Sequence, residues 1–216
     1  MIIEKLINQP AQESPDEAFA KLASDEAVKK TAEALTANGM EAFIAENGAE
    51  AKAKLFELIP EGSEVFTATS RTLDTLGVPD EVSNRYNAVR DELAKLDPRT
   101  QNREMIKLGA TPEVMVGSVH AVTEGGTLVI ASNTGSQLAG YAAAAAKVIW
   151  VISTKKITGD LDEAFKRIYE YTFPLEDKRA QEVYGMHSNV SKLLLVNREI
   201  MPDRAKVILV KEDLGF

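Results

Sequence analysis

Ser132, Asn133, Thr134, Gly135, Ser136 and Gln137 form a small, polar, glycine-containing stretch. It follows the apolar, β-favouring run Thr127 to Ala131 and precedes Leu138-Ala139-Gly140-Tyr141 and five alanines. That order is strand, loop, helix. The first turn of a helix has backbone N–H groups without intrahelical partners and a positive dipole end, so small residues there let an anion approach. Ser, Thr and Asn are also what helix N-termini favour as caps, so a purely structural connection is the competing reading. A second stretch of the same kind, Ser70-Arg71-Thr72, follows the run Val65 to Thr69. Lys155, Lys156 and Arg204 could neutralise an acidic ligand or serve as surface charge. His120 has the side chain of a general base near neutral pH, or of a hydrogen-bonded structural residue. His187 has no metal-ligand partner at i+3 or i+4, which argues against a metal site. Glu124 precedes Gly125-Gly126 and, by itself, reads as a turn.

Alternating short elements must position these residues. Ser14-Pro15-Asp16-Glu17 is a capping box that opens a helix, and Ser24-Asp25-Glu26 starts either its continuation or a second one. Met40 to Ala45 is a strand, and a helix bearing Leu55, Leu58 and Ile59 follows the Asn47-Gly48 turn. Ser70 caps a short helix ending at Gly77, and Val78 to Gly109 reads as helical, with Pro98 ending it. Val114 to Val122 fits either a strand or a strand and a turn. The continuous apolar run Val148 to Ser153 predicts a strand covered on both faces, joined to Thr127–Ala131 by a right-handed βαβ crossover. Asp160 and Glu163 form a capping box for a helix carrying Leu161, Ala164, Phe165, Ile168 and Tyr169 on one face. Phe173 to Asn189 reads as irregular, and Leu193–Val196 and Val207–Val210 as the last strands. Open α/β sheets bind ligands outside the carboxyl ends of their strands, where the Ser70 and Thr134 loops would both lie.

The 216 residues suffice for one well-buried domain, and the 44% hydrophobic and 27% charged content is that of a globular chain. With 25 Lys+Arg against 33 Asp+Glu, the net charge of −8 repels phosphate backbones, so no nucleic-acid partner is expected. The lack of cysteine excludes disulfides, thiolate nucleophiles and cysteine-ligated clusters, and suits a reducing compartment. The apolar runs Leu138–Ala146 and Val148–Ile152 are too short to span a bilayer, and no signal segment is legible, so a cytoplasmic protein without membrane contact is expected.

The string Gly117 to Leu138, with Val148–Ile157, Pro174-Leu175-Glu176-Asp177 and the tail Asp203 to Phe216, resembles the LUD-domain family, named for lactate utilisation, over about Met40 to Phe216. The resemblance implies a three-layer α/β sandwich with a mostly parallel sheet, similar to ribose-phosphate isomerases, glucosamine-phosphate deaminases and CoA transferases. Residues 40–216 would form that domain, with 1–39 a helical segment packed on it. With the two loops at one sheet edge, a small anionic metabolite is the expected ligand, bound by Ser70, Thr72, Ser132, Asn133, Thr134, Gly135, Ser136, Gln137 and Lys155, and no cofactor is assigned. In related CoA transferases a glutamate beside glycine takes CoA as a thioester. The same role at Glu124, or an isomerase-like pair of Glu124 and His120, is therefore the enzymatic alternative. A third is a non-catalytic subunit of an iron–sulfur oxidoreductase assembly, and a second copy of the chain is the other partner considered. Some members carry cysteines before the last strands, whereas Tyr184 to Ser191 has none here, which argues against a direct redox role.

Overall fold

Local capping chemistry sets the first helices. The computed structural model describes residues 2–7, 12 and 14–216, so residues 1, 8–11 and 13 of the expected N-terminal segment lie outside the described residues. Helix α1 (Ile2–Ile7) buries Leu6. The capping-box signal at Ser14 gives only a 3-10 turn, Glu17–Ala20, capped by Asp16 instead of Ser14, through a bond from Ala18 N at 2.9 Å. Ser24 caps a separate helix, α2 (Asp25–Ala37).

The chain then runs through β1 (Glu41–Ala45), α3 (Gly48–Leu58), β2 (Glu64–Thr67), α4 (Arg71–Thr75), α5 (Val78–Arg85), β3 (Asn87–Ala88), α6 (Val89–Leu93) and α7 (Asn102–Ala110). The helical reading of Val78 to Gly109 is thus interrupted twice. Asn87–Ala88 pairs with β2. Around Pro98, the Asp97 carbonyl accepts from Thr100 N and Gln101 N and turns the chain before α7. The remaining elements are β4 (Val114–Gly117), β5 (Ala121–Thr123), β6 (Leu128–Ser132), β7 (Lys147–Ser153), β8 (Ile157–Thr158), α8 (Leu161–Lys166), α9 (Phe173–Tyr184), β9 (Lys192–Val196) and β10 (Ala205–Val210).

Six strands form a parallel sheet in the order β1-β10-β7-β4-β2-β3. Its central strand β7 sends Val148, Trp150 and Ile152 to one face and Ile149 and Val151 to the other, as a doubly covered strand must. Residues of α3, α4 and α5, such as Leu55, Leu73 and Val82, cover the second face. Val28 and Leu35 of α2, with Val122, Leu128 and Ile130 of β5 and β6, cover the first. The result is a three-layer α/β sandwich with N-terminal helices.

The expected crossover from β6 to β7 within one sheet does not form. β6 lies antiparallel to β5 and β9 in a second sheet of order β8-β5-β6-β9. The turn at Glu124-Gly125-Gly126, braced by Asn38 Nδ2 donating to the Gly125 carbonyl at 3.0 Å, reverses the chain and pairs β6 with β5. The helix expected to end near Ala146 is a π turn, Gly140–Ala144.

The helix begun at Asp160 also continues further than its pattern suggests. A π turn, Arg167–Thr172, joins α8 to α9, so Phe173–Tyr184 is helical, not irregular. Pro174 has no N–H to give the Glu170 carbonyl. The wide turn absorbs the defect, and Asp16 N supplies the missing donor at 2.8 Å. Among the described residues no helix is long and apolar enough to cross a membrane.

Ile130 is fully buried between the two sheets, so truncating it removes apolar contacts and leaves a cavity. Ile130→Ala is expected to lower the unfolding free energy by roughly 2–5 kcal/mol in urea titration, with the slope unchanged.

Candidate functional site

Parallel pairing sends β2, β4, β7 and β10 out at one edge of the main sheet, and their following segments converge there. A cavity of about 360 Å³ opens among Ser70, Ser118, His120 and Lys156 from that edge, the loop after β6, and Glu176 and Arg179 of α9. Of the residues expected to bind a ligand, Ser70, Ser132, Asn133, Thr134, Ser136 and Gln137 line it, and so does His120. The Ser70 hydroxyl does not cap α4.

Thr72, Gly135, Lys155 and Glu124 are placed elsewhere. Thr72 is buried behind the wall and donates to the Leu214 carbonyl at 3.2 Å. Lys155 pairs with Asp213 and sits over the Tyr171 ring. Glu124 accepts from Lys30 Nζ at 2.7 Å in the β5–β6 turn. Because β5 separates His120 from Glu124, the two do not meet as an acid–base pair. Gly135 adopts φ +88°, and a Cβ on it would press against the Lys192 side chain at 2.9 Å, away from the cavity.

The loop is closed by its own side chains. Ser132 Oγ accepts from Gly135 N at 2.8 Å and donates to Gln137 Oε1 at 3.1 Å. Leu138 and Ala139 lead into the π turn, with Leu138 N bonded to the Gly135 carbonyl and Tyr141 N to the Gln137 carbonyl. The loop presents side-chain hydroxyl and amide groups to the cavity. Arg204 is likewise structural: it pairs with Glu199 at 2.5 Å and donates to the carbonyls of Gly140, Tyr141 and Ala145.

Sequence reasoning undervalued the cavity floor. Lys155, Lys156 and Arg167 retain 5%, 2% and 0% of their surface. Lys156 Nζ donates to Thr72 Oγ1 at 3.1 Å, Ser118 Oγ at 3.2 Å and the Val119 carbonyl at 3.1 Å. Burial first, and then the charges of Arg167 and Lys155, hold its ammonium well below the usual lysine range. Arg167 donates to the carbonyls of His120 and Lys155 and to Thr172 Oγ1, while its Nη2 is buried without a hydrogen-bond partner. Burial lowers its pKa only to about 10, so it remains a cation. Among the described residues, no carboxylate pairs with Lys156 or Arg167. Tyr141 closes the floor: its hydroxyl lies against Gly117, where any Cβ would overlap it, and burial pushes its pKa up. The legible signal for Lys156 was a pair of lysines just past the apolar run of β7, after Ser153-Thr154. Arg167 and Tyr141 left none.

The far wall carries two preformed pairs. Glu176 and Arg179 bond through both oxygens at 2.6 and 2.7 Å. Asp177 holds His187 Nδ1 at 2.9 Å and accepts from Ser188 N at 2.7 Å. Burial alone would raise the Asp177 pKa, but the bonds from His187, Ser188 and Gln181 outweigh it and hold it low.

A family model described as the LUD domain matches residues 28–210 of the chain. Among solved structures, the chain is similar to a DUF162 family protein from Deinococcus radiodurans, with a TM-score of 0.56 and 12% identity over 88% of this chain and 99% of that one. At that identity the likeness is one of fold. No curated protein matches the chain.

His120 Nδ1 accepts from Ala131 N at 3.1 Å, which leaves the ring proton on Nε2. Burial, then Lys156 and Arg167, push its pKa down to about 3, so it meets a ligand as a neutral donor and is a weak base at neutral pH. The imidazole nitrogen resonances of His120 should therefore stay those of the neutral Nε2–H tautomer from pH 8 to pH 5. A protonation step near pH 6.5 in ¹⁵N NMR would contradict this.

Proposed function

The chain belongs to the LUD domain family, and from that premise we propose that it binds a small anionic metabolite in the cavity at the carboxyl edge of its six-stranded sheet. One observation carries this reading: three buried basic side chains, Lys155, Lys156 and Arg167, share a single carboxylate, Asp213. The buried charge of Arg167, without a paired carboxylate, is costly, and an anion seated in the cavity above Lys156 supplies a counter-charge. The chain as a whole is negative, so this positive floor is a local property that a small ligand can reach and a polyanion cannot.

Ser70, Ser132, Asn133, Thr134, Ser136 and Gln137 then orient the ligand with neutral hydrogen bonds, and the cavity volume is that of a small-metabolite site. The ligand class is a hydroxy acid, a sugar phosphate or the acidic end of a CoA derivative. The family's name favours the hydroxy acid. Residues 40–216 carry the cavity, and α1 and α2 of the described N-terminal residues pack on that unit. Glu124, outside the cavity and ion-paired with Lys30, takes no part in binding, which disfavours the thioester chemistry of CoA transferases.

A thermal-shift screen of hydroxy acids, sugar phosphates and CoA compounds against uncharged analogues tests the reading. Anions are expected to raise the Tm, a ligand at 100 times its Kd adding about 2.7 kcal/mol. Lys156→Met should weaken the best hit at least about tenfold, the cost of one charge-assisted hydrogen bond, while Glu124→Gln should leave it unchanged. Equal stabilisation by uncharged analogues would refute anion recognition.

A further inference from the structure

We propose that Lys156 is a covalent site: its amine condenses with the carbonyl group of a small anionic aldehyde or ketone to form an imine. The inference deepens the anion-binding reading and rests on it.

Placement is the first argument. The Lys156 amine is at the wall of a cavity of metabolite size, and its three hydrogen-bond partners are all neutral oxygens. A lysine kept for structural charge is normally matched by a carboxylate. The neighbouring Lys155 is such a case, equally buried but paired with Asp213 and outside the cavity. Two sequence-adjacent lysines therefore have different chemistry, and only Lys156 faces the space a ligand would fill.

Reactivity is the second. An amine attacks carbonyl carbon only when unprotonated, and desolvation beside another cation is a known way to free its lone pair near neutral pH. Arg167 supplies that fixed charge, and burial supplies the desolvation. A free amine at the cavity wall and a net positive floor together select a carbonyl compound that also carries an anionic group.

Proton handling is the third. The Lys156 lone pair forms a C–N bond as the carbonyl π pair moves to oxygen, and that oxygen takes up a proton. The resulting carbinolamine oxygen takes up a second proton and leaves as water, and over the two steps the nitrogen gives up both of its protons. The net change is R₂C=O plus H₂N–Lys to R₂C=N–Lys plus H₂O, with no oxidant or reductant. Ser118 Oγ, 3.2 Å from Nζ and at the cavity surface, is the hydroxyl placed to pass these protons.

Borohydride trapping on the full chain decides the point. The protein is incubated with 2-oxobutyrate or with dihydroxyacetone phosphate, one a carboxylate and the other a phosphate, then reduced and digested for mass spectrometry. The expected result is a single secondary-amine adduct on Lys156, at least tenfold above any other lysine and with Lys155 unmodified. It should be absent from Lys156→Met. Peptide mapping of the parent protein locates the adduct even if that variant folds poorly. Parallel thermal shifts separate the two claims. A Tm increase without an adduct, or adducts spread over exposed lysines with Lys156 spared, overturns the imine and leaves anion binding standing. Neither shift nor adduct with both probes overturns the imine and counts against the binding reading as well.

Discussion

Lys156 reaches across the carboxyl edge of the main sheet and bonds to the segments leaving two other strands. Thr72, in the helix after β2, and Ser118 and Val119, after β4, receive its three hydrogen bonds. Thr72 in turn donates to the Leu214 carbonyl after β10, so four strand ends are linked through one nitrogen. Taking a lysine head group out of water is expensive unless its hydrogen-bonding capacity is met, and here three oxygens lie 3.1–3.2 Å from Nζ. The same bonds that make the burial tolerable also hold the amine at the cavity wall. Structural satisfaction and chemical exposure are properties of one geometry.

The cavity exists because the second sheet is wedged between the main sheet and the α8–α9 passage. Its two central strands are buried on both faces: Val122, Leu128 and Ile130 pack toward β7, while Ala121, Val129 and Ala131 pack toward Phe165, Ile168 and Tyr169. Alanine on the helix-facing side leaves room for the aromatic rings. The strand ends of both sheets thereby reach one space, which a single parallel sheet would not have enclosed.

Two π turns and two buried arginines show how similar local features diverge. Arg204 stitches the carbonyls of the Gly140–Ala144 turn and is neutralised by Glu199. Arg167 lies inside the Arg167–Thr172 turn and bonds only to neutral oxygens. Arg204 satisfies carbonyls that its wide turn leaves open, whereas Arg167 reaches out of its own turn to the carbonyls of His120 and Lys155. Only the second contributes an uncompensated charge to its surroundings, and that charge bears on both His120 and Lys156.

The sequence by itself determined most elements, since strand runs, helix caps at Ser24, Asn47 and Asp160, and the doubly buried β7 are local properties of neighbouring residues. It also marked the fold class through its family resemblance, and placed the Ser70 and Thr134 loops at one edge. Sheet membership was not legible, because β6 reads equally well as a parallel or an antiparallel buried strand until β5 and β9 flank it. The helix beyond Pro174 was hidden because its repair comes from Asp16, far back in the chain. Glu124 and His120 sit four residues apart in sequence, yet β5 directs one to α2 and the other to the cavity. Lys155 and Lys156 are the clearest case. They are the same residue type in adjacent positions, and only contacts 58 and 84 residues away, to Asp213 and to Thr72, decide that one is a neutralised ion pair and the other an unpaired amine at the cavity wall.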